Sequence, residues 1–407
     1  MREDSVKPRL KRSIGLAGMV FYGVGTMIGG GFYALLGKII GEAGIFTPLS
    51  LLLACGLALV SALSFAELAR RYPVSAGEVQ YVQAAFGWSR LSQMVGVLVI
   101  MTGLVSSATL CAATGGFLLD LTSAPIPLLI AVTAVVLTVI AAWGVNQSVI
   151  VVAIITLIEA GTLLLIIILS ADKALELPTL ITDMVNSWDQ IEGAVILTTA
   201  FLAFYAFVGF EDMVNMSEET RDTEHIMPRA IAIAVIITVV LYAGVTLVAL
   251  GFEDRQALAT AHTPLALLLP ETRFSGLTIG LISILAGLNG ALVQLVMAAR
   301  VMYGMADRGM APRLLARVHP VTRTPLQATV VAGVIVLVLA TGFPLKGLAE
   351  ATSFIILTVF LLVNLSLAVI RYRETHHIRL TTLAWMPIIA ALSCLAMLVL
   401  RSVTALA

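Results

Sequence analysis

Three carboxylates in this chain stand where carboxylates are costly. Glu159 is centred in Ile154-Ile155-Thr156-Leu157-Ile158-Glu159-Ala160-Gly161, and Glu211 and Asp212 follow Phe207-Val208-Gly209-Phe210 inside another apolar run. An ionisable group in such a run marks a substrate path, an ion path or a proton relay. Glu159 reads as a group that takes a proton or helps hold a bound cation. The competing reading is a protonated glutamate kept between helices for packing, the form that burial favours. Glu211 and Asp212 diverge by about 100° if they lie on a helix, so at most one points inward. That one would line a solute path and titrate, or pair with a cationic group of the solute.

The second kind of chemistry is carried by backbone. Gly25-Thr26-Met27-Ile28-Gly29-Gly30-Gly31-Phe32 puts four glycines at the centre of the first long apolar segment. Glycine weakens helices and accepts backbone angles that other residues avoid. A helix broken at membrane depth survives only inside protein or beside a wet cavity. Its freed amides and half-helix ends can then hold the charged groups of a small solute. A glycine face for close helix packing is the alternative. The apolar run that ends in Gly209 and the paired carboxylates is a second interruption of the same kind.

These groups need membrane helices to position them. Of 407 residues 59% are hydrophobic and 12% charged, and the mean hydropathy is +1.03. Soluble domains carry about a quarter charged residues, which excludes that class. A formal net charge of zero gives no reason to expect nucleic acid. The five His are not grouped with Cys as metal ligands would be, and only His376-His377 are adjacent, in a basic loop. Cys55, Cys111 and Cys394 fall inside apolar segments and read as packing residues.

Spanning helices need about 20 apolar residues. Eleven segments qualify, near 13–40, 46–69, 91–119, 126–143, 147–170, 193–217, 229–251, 275–302, 325–343, 347–370 and 382–400. With the N-terminus inside, all but six of the 24 Lys and Arg fall on the cytoplasmic side; the six are Lys38, Lys173, Arg255, Arg273, Lys346 and Arg401. That bias sets the orientation, and the odd number of segments puts the C-terminus outside. Residues 1–12 form a cytoplasmic tail, and the linkers 70–90 and 303–324 are expected to lie against the membrane surface. Interrupted first and sixth segments, five helices apart, fit an inverted five-plus-five repeat. The expected units are 13–172 for the first repeat, 188–372 for the second, an additional helix over 382–400 and a short tail over 401–407.

Three blocks resemble the amino acid–polyamine–organocation permease superfamily. They are Gly25 to Phe32, then Phe204 to Ala230 with Gly209-Phe210-Glu211 and Pro228-Arg229-Ala230, then Ala299-Arg300-Val301-Met302-Tyr303-Gly304-Met305-Ala306-Asp307-Arg308-Gly309. Glu67 to Gly87, with Tyr72-Pro73, is a looser match. The resemblance implies an all-α polytopic LeuT-type fold with discontinuous helices one and six. It also implies substrates that are amino acids or related amines. By the same resemblance the substrate carboxylate would meet amides around Gly29, Gly30 and Gly31, and its ammonium the carbonyls near Met27, Tyr205 and Val208. Tyr205 would cover the ligand, and Glu211 is the carboxylate that the family position favours. The fifth-helix position is often lysine in the family, so Glu159 reverses the sign there. Ala286-Gly287-Leu288-Asn289-Gly290 resembles the stretch that supplies cation ligands in sodium-coupled relatives. An ion-coupling site at Gly25, Ile28, Glu159 and Asn289 follows, for H+ or Na+, with no other cofactor.

The expected function is a secondary active amino acid transporter of a bacterial plasma membrane, working by alternating access in the lipid bilayer. The alternative is a polyamine or organic-amine exchanger. A membrane enzyme or sensor ranks below both, because the sequence shows no intramembrane metal set, no Ser-His pair and no nucleotide loop.

Overall fold

Backbone groups in lipid must find partners within their own segment, and the long apolar runs of this chain fold accordingly as α-helices. The computed structural model describes residues 12, 14–74, 77–122, 124–143, 149–190, 193–252, 254–269, 273–307, 309–320, 322, 324–374 and 385–406. The N-terminal tail before Arg12, and His376-His377, lie outside them. In chain order the helices are α1 Leu16–Ala43, α2 Thr47–Arg71, α3 Gly77–Phe86, α4 Ser89–Leu119, α5 Ile126–Trp143, α6 Val149–Leu169 and α7 Leu177–Asn186. They continue as α8 Gly193–Phe204, α9 Thr223–Leu250, α10 Arg255–Thr260, α11 Arg273–Asp307, α12 Leu326–Gly342, α13 Leu345–Glu374 and α14 Met386–Leu406.

The protein is an all-α polytopic membrane protein. Among the described residues, nine stretches are long and apolar enough to cross a membrane, against the eleven segments expected. Two features account for the difference. Leu16–Arg71 is one run of 56 residues that holds both α1 and α2 across the short 3₁₀ turn Gly44–Phe46, and α12 is apolar but only 17 residues long. At the other end α14 continues helical to Leu406, through positions assigned from sequence to a tail.

Burial separates centre from rim. The apolar windows of Ser89–Leu119 and Gly193–Ser217 are 72% buried, those of Ile126–Trp143 and Met386–Thr404 only 28%. The rim helices turn Leu128, Val132, Val139, Leu392 and Val399 outward, where lipid tails replace protein. Inside, the apolar side chains divide into two clusters. One gathers Phe32, Phe65, Phe204, Phe210, Tyr242 and Phe360 from α1, α2, α8, α9, α13 and the stretch after α8. The other gathers Leu110, Leu137, Leu295 and Val336 from α4, α5, α11 and α12. α1 packs on α9, α6 and α11, so it lies between the two.

α3 corrects one expectation. The linker 70–90 does not lie on the membrane surface along its length. Tyr81, Val82 and Ala85 are fully buried, and α3 packs against α4 and α13. Its apolar face is covered by protein at the end of the bundle that carries Arg70, Arg71, Arg371 and Arg373, called here the Arg-rich end.

Candidate functional site

The glycine stretch of α1 does both things that its sequence allowed, at different residues. Gly29 leaves helical geometry, with φ −10° and ψ 173°, while α1 continues on either side. Gly25 and Gly30 are packing positions. A Cβ at Gly25 would lie 2.1 Å from Thr156 Oγ1 of α6, and one at Gly30 would lie 2.6 Å from Gly287 Cα of α11. Backbone thus meets backbone where α1 crosses α11, the close approach that small residues permit between membrane helices.

The second interruption is longer. α8 ends at Phe204, and Tyr205–Phe207 form a single 3₁₀ turn. Val208 is extended, Gly209 has φ +133°, and Phe210–Glu219 continue as 3₁₀ helix. Gly209 is required twice over, because a side chain rarely adopts that φ and a Cβ there would lie 2.6 Å from Thr26 O. The freed groups of this break find partners. Gly209 N–H donates to Glu211 Oε2 at 2.9 Å, and Val208 N–H to Tyr205 O at 3.2 Å. Phe65, Phe204 and Phe210 pack around Phe360, with ring centroids 5.0 to 5.8 Å apart, and hold both flanks of the break.

Two hydroxyls tie the breaks together. Thr26 Oγ1 donates to Gly209 O at 2.9 Å. Tyr242 Oη, on α9, contacts Met27 O at 2.8 Å and Ala206 O at 3.0 Å. Its ring stacks on Phe32, centroids 3.8 Å apart.

Between the breaks lies a small cavity, about 20 Å³, lined by Met27, Gly29, Gly31, Tyr205 and Val208 of the residues singled out from sequence. Thr26, Ser106, Leu110, Gly290, Val293 and Gln294 complete the wall. That volume accommodates about one water. Tyr205 fills the remaining space: its hydroxyl lies 3.2 Å from Ser106 Oγ, and its ring stands 2.8 Å from where a Cβ of Gly31 would be. Gly30 and Glu211 are not part of the wall; Gly30 faces α11, and Glu211 caps the Gly209 amide. Sequence reading missed Ser106, Leu110, Val293 and Gln294 because α4 and α11 run uninterrupted past the site. Gln294, polar within Leu292-Val293-Gln294-Leu295-Val296, was the available signal.

Glu159 is fully buried on α6, and neither carboxylate oxygen has a hydrogen-bond partner. Its own backbone carbonyl accepts a hydrogen bond from Tyr33 Oη at 2.8 Å. Ile28 is buried beside Gly29. Asn289 is half-buried on α11, and no hydrogen bond joins it to Glu159. Among the described residues no group of three or more His, Cys, Asp or Glu is placed to hold a metal ion.

A larger cavity, about 970 Å³, opens at the Arg-rich end. Its wall is an ion network: Glu67 pairs with Arg71 at 2.5 Å and with Arg371, and Arg71 reaches Glu374 at 2.5 Å. This network ties α2 to α13. The stretch after the second break is tied to the start of α1 by backbone. Ile14 N–H donates to Glu219 O at 3.1 Å and Arg221 N–H to Ile14 O at 2.9 Å, a backbone bridge to the start of α1. The small cavity, not the large one, lies between the helix breaks.

Comparison with known proteins agrees with this architecture. The amino acid permease family matches residues 14–405. An uncharacterized transporter of Mycobacterium tuberculosis is 29% identical over 400 residues, 96% of this chain and 86% of its own length. The branched-chain amino acid permease BcaP of Bacillus subtilis is 27% identical over 415 residues, 95% of this chain and 86% of its own. The vacuolar cationic amino acid transporter 4 of Arabidopsis thaliana is 26% identical over 389 residues, 89% of this chain and 64% of its own.

Proposed function

This chain belongs to the amino acid permease family, and from that premise we propose that it carries neutral amino acids across the membrane by ion-coupled alternating access. The observation that carries the reading is a buried cavity enclosed by two interrupted segments and stitched by Thr26 and Tyr242. In this reading the chain is a member of the amino acid–polyamine–organocation superfamily with a LeuT-type five-plus-five core. The substrate carboxylate takes the amides of Gly29 and Gly31, the two of the glycine triplet that line the cavity, at the positive end of the outer half of α1. The ammonium takes carbonyls near Met27, Tyr205 and Val208. Met27 O keeps one lone pair for it beside the bond from Tyr242.

The lining favours a neutral side chain over a polyamine. Leu110, Val208 and Val293 are apolar, and among the described residues no charged side chain stands in the wall to pair with a second ammonium. The cavity as it stands is too small for an amino acid, so Tyr205 must swing from Ser106 when substrate enters. The two apolar clusters support a rocking motion, with α1, α2, α8 and α9 moving against α4, α5, α11 and α12. The Arg-rich end is taken as cytoplasmic.

Glu159 is the proposed coupling group, because a fully buried carboxylate without a donor is the place for a proton or a metal cation. Asn289, Gly25 and Ile28 are kept as the candidate companions for Na+. The test is uptake of a labelled amino acid mixture into proteoliposomes under an H+ gradient, a Na+ gradient, or counterflow alone. Concentrative uptake should follow one gradient in the parent, and Glu159→Gln should retain counterflow while losing concentration by that gradient. Unchanged ion dependence in Glu159→Gln removes the coupling role. Transport of polyamines without amino acids overturns the substrate assignment.

A further inference from the structure

On the Arg-rich side of the small cavity stands a cluster that the transport reading leaves unused. Gln294, in the cavity wall, donates from Nε2 to Asp212 Oδ2 at 2.6 Å. Glu78, in the first turn of α3, feels the charge on Asp212 and bears in turn on Glu211. The two elements are pressed together, since a Cβ at Gly77 would lie 2.4 Å from Val214 Cγ1. Exposure is 2% for Glu78, 2% for Asp212 and 5% for Glu211.

The supply of hydrogens to this cluster falls short. The Gly209 amide serves Glu211, and the Gln294 amide serves Asp212. Among the described residues Glu78 Oε2 and Gln294 Oε1 have no partner. Among the described residues no Lys or Arg forms an ion pair with any of the three carboxylates. Uncompensated buried charges are costly. A bound proton removes one of them and gives an orphaned oxygen its hydrogen.

We propose that Glu78, with Asp212 and Gln294, forms a proton-binding site distinct from Glu159, and that a proton held there is required for the Arg-rich side to close. Glu78 exchanges the proton with water when α3 and the stretch after Gly209 part. Gln294 links the site to the substrate cavity, so solute and proton each report on the same closure.

The charge environment agrees with that assignment. Burial pushes the Glu78 carboxyl up from 4.5 to about 7; its own amide opposes the shift, and the charge on Asp212 adds to it. Tyr81 shares α3 with Glu78. Asp212, Arg300, Glu219 and Glu211 each act electrostatically on Tyr22 of α1. Of the other helices against α3, α2 brings Arg70 and Arg71, α4 the exposed Arg90, and α13 Arg371, Arg373 and Glu374. The sign follows from linkage. A carboxyl near 4.5 when exposed and about 7 when buried favours the closed form fully below pH 4.5, and that advantage is lost as pH rises to about 7.

The test needs no substrate, so it stands or fails apart from the amino acid reading and from Glu159. The full chain in lipid nanodiscs, with Cys55, Cys111 and Cys394 replaced by alanine, carries spin labels at Gln80→Cys on α3 and Glu224→Cys on α9. Both positions are exposed. In the parent, a longer interlabel distance should grow as pH rises from 4.5 to 7. Glu78→Gln should hold the short distance at every pH, and Glu78→Asp should restore the titration. A parent distance that ignores pH, or a Glu78→Gln protein that titrates like the parent, overturns the proposal. Should Glu78→Gln fail to fold, Asp212→Asn decides: its midpoint should move to lower pH, and an unmoved midpoint overturns the proposal.

Discussion

The two interruptions of the bundle are built on opposite principles. At Gly29 one residue leaves helical geometry, and among the described residues no side chain caps the amides of Gly29, Gly30 or Gly31. At Val208-Gly209 the departure spans several residues, and its polar groups are met internally by Glu211, Thr26, Tyr242 and Tyr205. Aromatic rings brace that second break on both flanks. Polar backbone left without a partner in an apolar interior costs free energy, so it persists where a ligand or water supplies the partner. The contrast teaches that the first break turns on one glycine, while the second is held in shape by its neighbours. Gly29 and Gly31 of the first line the cavity, and the stitched second supplies Tyr205 to its wall.

The sharpest way to break this contrast is to add one methyl group to each side. Gly209→Ala forces a side chain to φ +133° and toward Thr26 O at 2.6 Å. Such strain is worth about 1–3 kcal/mol before the clash is counted. Uptake should fall more than about ten-fold and the melting temperature by several degrees. Gly31→Ala meets only the ring of Tyr205, at 2.8 Å, a side chain free to turn away. Its melting temperature should match the parent while KM rises. Equal destabilisation of the two variants would show that both breaks are structural.

A smaller effect is expected at the tie between them. Tyr242→Phe keeps the ring that stacks on Phe32 and removes the hydroxyl shared by Met27 O and Ala206 O. Leaving buried carbonyls short of a donor costs about 1–3 kcal/mol. The variant should unfold at lower temperature, and uptake should drop several-fold with no change in ion dependence. A loss of ion dependence would instead place Tyr242 in the coupling machinery beside Glu159.

How far the sequence reveals these parts depends on how local each signal is. Both breaks are visible as glycines inside apolar runs, because a helix interruption is written in the residues that make it. Glu159 is visible for the same reason, as one charge in a run of Ile and Leu. The cavity wall on α4 and α11 is not, since Ser106, Leu110 and Gln294 sit on unbroken helices and are brought in only by packing at Gly30, Gly287 and Gly290. Glu78 is hidden more deeply. It stands in a polar linker that reads as surface, and only the burial of α3 makes its carboxyl costly. The sequence separates α1 from α2 and includes α12, whereas the helical run Leu16–Arg71 continues through the 3₁₀ turn Gly44–Phe46 and α12 is only 17 residues long.

The smallest expected effect decides what Glu211 is for. Its Oε2 accepts the Gly209 amide at 2.9 Å, a role that needs an acceptor and not a charge. Glutamine offers a carbonyl oxygen of nearly the same reach, so Glu211→Gln should transport within about two-fold of the parent, a difference under 1 kcal/mol. Glu211→Ala removes the acceptor and should lower stability by about 1 kcal/mol, the ordinary worth of such a bond. Uptake rates and melting temperatures of the two variants, measured side by side, separate a cap from a titrating gate. If glutamine is as damaging as alanine, the charge itself matters, and the second break holds a working carboxylate as well as a structural one. The contrast between the breaks would then lie in chemistry as well as in bracing, with a titrating carboxylate at the second.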